Sequence, residues 1–126
     1  MDRSRIWFAS IISLPRASNP PVPGQFEVFT NPIVQARKAY PYVAILQADA
    51  AGTGRDRIVA PLAPRTQLTG TAGRLTPHVT VLGVEHVLLV PSMSAMATTD
   101  LKEHCDEMGG HRSDIIAALD FLFLGV

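Results

Sequence analysis

At 126 residues, with 47% apolar and 17% charged residues, the chain has the composition of one folded domain and not of a disordered one. Its 11 basic and 11 acidic residues cancel, which argues against a protein that grips nucleic acid through a surplus of phosphate ion pairs. The one cysteine, Cys105, excludes an internal disulfide framework and fits a reducing, cytoplasmic compartment.

The first 24 residues read differently from the rest. Asp2-Arg3-Ser4-Arg5 precedes an apolar run from Ile6 to Leu14, and Pro15, Pro20, Pro21 and Pro23 follow. The run is too short to cross a bilayer as a helix. It has the length of a secretory leader's apolar region, but Asp2 dilutes the positive start and no clean Ala-x-Ala cleavage site follows. Three readings stay open: a start codon assigned too far upstream or a poorly ordered extension, a signal peptide, and an ordered addition to the fold. The expected division is an extension over residues 1–24 and a domain over residues 25–126. Without the first 24 residues the domain keeps 8 basic and 10 acidic residues and is slightly acidic.

From Phe26 the pattern becomes that of strands. Phe26 to Thr30 reads as a first strand closed by Asn31-Pro32, and Val34 to Ala39 as a loop or one helical turn. Tyr42 to Gln47 is apolar on both faces and predicts a central strand. Ala51-Gly52-Thr53-Gly54 lies between Asp49 and Asp56. It lacks the Gly-Lys-Ser/Thr and the helix of a phosphate-binding loop, so it reads as a strand-to-strand connection. Arg57 to Leu62 is a third strand, with Pro61 placed at its edge or end because proline donates nothing to a ladder. Pro64 to Gly73 is a Thr/Gly-rich connection. His78 to Leu82 and His86 to Val90, joined through Gly83, predict a hairpin, and a further short strand is expected over Met96 to Leu101.

The C-terminus changes period. Ile115, Ile116, Leu119, Leu122 and Phe123 form an apolar helical stripe worth about 10 kcal/mol before entropy if all are buried. Gly109-Gly110 breaks the chain before it, Ser113 or a neighbour supplies the cap, Asp114 suits the positive end of the helix, and Gly125 stops it. The expected fold is mostly β, an α+β arrangement of about five antiparallel strands bent into a small, partly open barrel and capped by the terminal helix.

No catalytic or cofactor site emerges. His78, His86, His104 and His111 fall in separate segments, and His104-Cys105 with His111 offers one close pair where zinc sites use two. There is no Gly-x-Ser-x-Gly elbow, and Cys105 has no nucleophile context. Asp106-Glu107 and the Asp49/Asp56 pair read as solvated loop carboxylates.

The ordered set of segments nevertheless resembles one family. Gly110-His111-Arg112-Ser113-Asp114-Ile115 through Phe123-Leu124-Gly125-Val126 is similar to the end of the CcdB toxins, which have a His-Arg turn, a helix opening with Asp-Ile, and a final Phe-Trp-Gly-Ile. Gln25 to Phe29 resembles their opening strand, and Arg57 to Leu62 resembles an R-x-V-I-P-L strand. Leu75-Thr76-Pro77-His78-Val79 and the hairpin at Gly83 occupy the matching places.

The resemblance implies an SH3-like barrel that forms a homodimer and acts as the toxin of a type II toxin–antitoxin pair, a plasmid-maintenance device. It implies binding to the A subunit of DNA gyrase, trapping of the cleaved-DNA complex, and neutralisation by a partly disordered CcdA-like antitoxin. No enzymatic activity, cofactor, direct nucleic-acid contact or membrane association is implied. The target-binding tripeptide falls on Leu124, Gly125 and Val126. Leu124 departs from the family's tryptophan and loses a cation–π partner, which leaves a non-toxic antitoxin-binding module as the alternative. An endoribonuclease of the MazF type shares the barrel, but the acidic balance disfavours an RNA groove.

Overall fold

The computed structural model describes residues 23–51, 54–67 and 73–126. Among the described residues seven antiparallel strands form one sheet: β1 (Glu27–Thr30), β2 (Tyr42–Ile45), β3 (Asp56–Pro64), β4 (His78–Val81), β5 (Val84–Leu88), β6 (Ser94–Ala97) and β7 (His104–Glu107). A helix, α1 (Arg112–Leu124), ends the fold. The strand order is β4-β5-β3-β2-β1-β7, with β6 added beside β3. Residues 1–22 of the expected extension lie outside the described residues, as do Gly52, Thr53 and residues 68–72 of the two predicted loops.

Apolar residues on both faces explain why β1, β2 and β3 are central. Val28, Ala44, Ala60 and Leu62 face one way, into the main core with Val79, Val81, Leu88 and Met108. Phe29, Val43, Ile45 and Val59 face the other way and are covered by Leu101 and Met96. The alternation follows from the two-residue period of a strand. β2 pairs with β1 through Val28 opposite Ala44 and with β3 through Ala60 opposite the same residue.

β3 is the spine, and its length decides the bend. Arg57 to Val59 pair with β6, whereas Leu62 to Pro64 pair with β5 on that same edge. Pro61 is expected at the edge or end of the strand; the second of these is corrected, since the strand runs on to Pro64 and Pro61 sits where the edge changes partner. Its carbonyl accepts the Leu89 N–H at 3.0 Å, and its missing donor falls in the gap between the two partners.

The hairpin is as predicted, β4 and β5 meeting in a two-residue turn at Leu82 and Gly83 with φ of 51° and 78°. Positive φ at both central positions matches the right-handed twist of the flanking strands. Two short strands differ from expectation. The strand foreseen over Met96 to Leu101 lies at Ser94–Ala97 and gives way to a 3-10 turn at Thr98–Asp100. β7 was not foreseen because His-Cys-Asp-Glu carries no apolar alternation. Its order comes from backbone pairing with β1, across a register shift between Val28 and Phe29.

α1 packs into the main core through Ile115 and Ala118, both fully buried, with Leu119 and Leu122 half-buried beside them. The predicted stripe is corrected here. Ile116 and Phe123 lie about a quarter turn away from that face and are exposed, 37% and 68%. The helix therefore contributes closer to about 5 kcal/mol than to the figure expected from five buried side chains. No side chain caps its start: the N-cap position is His111, following a 3-10 turn over Gly109–His111, and Ser113 lies in the first turn with Asp114.

Candidate functional site

The end of α1 is positioned by its buried face and then released by its cap. Gly125 has φ of 74°, and its N–H closes on the Phe121 carbonyl at 3.0 Å. A residue with a Cβ resists that left-handed turn, so glycine ends the helix cleanly and swings Val126 away from the axis. Leu124 lies roughly half a turn from Ile115 and projects from the domain. Leu124 is 70% exposed and Val126 73%.

These side chains extend an apolar strip along the solvent side of the helix. Ile116 and Phe123, seven positions apart, lie on one face of the helix, with Asp120 between them and Leu124 and Val126 beyond. Water would not favour such a strip on a free surface. The opposite flank of the helix end is braced: the Arg74 guanidinium stands 3.9 Å from the centre of the Phe121 ring. Below it an open cleft of about 360 Å³ is lined by Arg74, Thr76, Pro77, His78, Asp114 and Ala117.

The polar residues singled out in the sequence are dispersed. His104 sets its ring edge against Phe29, centres 5.5 Å apart, while Cys105 points the other way to the Thr30 hydroxyl at 3.3 Å. His111 accepts the Thr80 N–H on Nε2 at 3.2 Å. His86 is buried, bonded through Nδ1 to the Val84 carbonyl at 2.9 Å, with Tyr42 edge-on. His78 lines the cleft. Among the described residues no group of three or more His, Cys, Asp or Glu is arranged to hold a metal ion.

The carboxylates serve the backbone. Asp49 Oδ1 accepts the Gln25 N–H at 2.7 Å, and Glu107 Oε2 accepts the Gly109 N–H at 2.7 Å. Asp106 takes the Leu82 N–H on one oxygen and the Glu107 N–H on the other, both at 2.8 Å. Those bonds, the Leu82 one first, hold its carboxyl below the ordinary aspartate value. Glu85 is lowered likewise by its 2.8 Å bond to Arg65 and by that cation's charge. Neither Asp106 nor Glu85 lines the cleft. No helix among the described residues is long and apolar enough to cross a membrane.

Sequence reasoning placed Leu124, Gly125 and Val126 beyond the anchored part of the helix, and the structure puts them there. It missed that Ile116 and Phe123 belong to the same exposed strip. A helix apolar on most sides carries no signal for which arc meets the core. A family model described as CcdB protein matches residues 25–125. A search of curated proteins gave no match.

Proposed function

Because the chain belongs to the CcdB family over residues 25–125, we propose that it is the toxin of a toxin–antitoxin module and acts by binding the A subunit of DNA gyrase and holding its cleaved-DNA complex. The observation that carries the reading is the exposed end of α1. Leu124, Gly125 and Val126 stand clear of the core at the tip of an anchored helix, and among the described residues nothing covers them. A binding element built this way reaches a partner without unfolding its support. The same features assign no chemistry to the chain itself: it works by occupying its target.

A homodimer fits the rest of the strip. Ile116 and Phe123 give a second copy an apolar face to cover, and a twofold axis near them would bring two helix ends together. A CcdA-like antitoxin, flexible until bound, would neutralise the toxin by wrapping it. Incubating purified gyrase and supercoiled DNA with the protein tests the proposal: linear, protein-linked DNA should accumulate. If gyrase cleavage is unaffected while a dimer forms and an antitoxin still binds, the non-toxic module is the better reading. Leu124 is the residue that favours that second reading, since leucine keeps apolar area but offers no aromatic face to a cation.

A further inference from the structure

β4 and β7 are the two ends of the sheet, with no backbone ladder between them, and side chains from β7 and from the turn after it reach the β4 edge. Two side chains span the seam instead. The Thr80 N–H on the edge of β4 donates to Nε2 of His111 at 3.2 Å, and the Leu82 N–H donates to Oδ2 of Asp106 at 2.8 Å. Residues two apart direct their amides to the same edge, so the pair works along one line.

A backbone amide only donates, so Nε2 must present a lone pair, and the proton of the neutral ring sits on Nδ1. The doubly protonated ring carries N–H at both nitrogens and sets donor against donor. We propose that His111 and Asp106 form a latch across the two ends of the sheet while the imidazole is neutral, and that protonation of His111 releases the Thr80 amide of the β4 edge while Asp106 keeps its hold on Leu82.

The charged neighbours leave this role to His111. Glu85, opposite Thr80, is engaged by Arg65, and Glu107 is engaged by the Gly109 amide. His104 packs on Phe29, and His78 lies two residues before Thr80 on β4. Arg112 and Asp114 follow His111 in the first turn of α1. Asp106 stays ionised in mildly acidic solution because its two amide donors stabilise the charged form.

The test is amide hydrogen exchange on the full ¹⁵N-labelled chain from about pH 8 to about pH 5, corrected for intrinsic rates, with His111 ring protonation followed in the same samples. Protection of Thr80 should fall roughly tenfold in step with His111. His111→Gln, whose amide oxygen accepts without titrating, should remove the step and keep the protection, while His104→Gln should leave the step in place. Thr80 protection that stays constant through the titration of His111, or a step that survives His111→Gln, would overturn the latch. Should His111→Gln fail to fold, the wild-type midpoints decide: the Thr80 step and the ring must titrate together.

Discussion

Removing Leu124, Gly125 and Val126 should separate binding from stability more cleanly than any other change in this chain. Leu124 is 70% and Val126 73% exposed, so less than a third of each is buried. At about 1.5–3 kcal/mol for a fully buried large side chain, their combined loss is near 1 kcal/mol, and the Gly125 to Phe121 bond adds a few tenths. On a domain of this size that lowers the melting temperature by a few degrees. Ile115→Ala is the contrasting change. Ile115 is fully buried in the main core, and its truncation costs about 2–5 kcal/mol and at least ten degrees or so. The assay pairs thermal melting with binding to an immobilised fragment of the gyrase A subunit. The deletion should abolish binding and melt close to wild type. Ile115→Ala should bind when folded and melt early. Leu124→Trp should tighten binding about tenfold, roughly 1.4 kcal/mol, by restoring an aromatic face at an exposed position. If the deletion binds as well as wild type, or melts as low as Ile115→Ala, the division between anchored helix and free tip is wrong.

Sedimentation equilibrium should show a dimer at micromolar concentration, and Phe123→Asp should shift it to monomer with little change in melting, because Phe123 is 68% exposed in the single chain. Chains starting at residue 23 should melt like the full chain, whereas a start at residue 25 removes the Pro23 carbonyl that buried Arg57 bonds at 3.3 Å and should cost about 1 kcal/mol. Asp106→Ala should destabilise the protein by about 1 kcal/mol near neutral pH, the group being half-buried and bonded to two amides. Since its folded-state value is depressed, that loss should be present above the ordinary carboxylate range and vanish as acid protonates the wild-type group; equal destabilisation at every pH would refute the linkage. Leu82→Asn should raise the melting temperature by a few degrees, as asparagine adopts the 51° φ of that turn position more readily than leucine.

What the sequence determined by itself was local or repetitive. The two-sided apolar run around Val43 to Ile45 marked a central strand, and Gly83 between two β-rich segments marked a tight turn. Gly125 after an apolar helix marked its end and left the last residues outside the core. Each depends on the backbone preference of one residue or on a period of two, and both are visible along the chain. The tertiary structure decided everything that depends on which surfaces meet. It chose Ile115, Ala118, Leu119 and Leu122 over Ile116 and Phe123, since a largely apolar helix has several faces able to pack and only the shape of the barrel mouth selects one. It made a strand of His104–Glu107, because pairing with β1 supplies the order that those side chains do not. And it turned His111 and Asp106 from surface residues into the bridge between sheet edges, a role that exists only once the fold has brought the β4 edge within reach of those side chains.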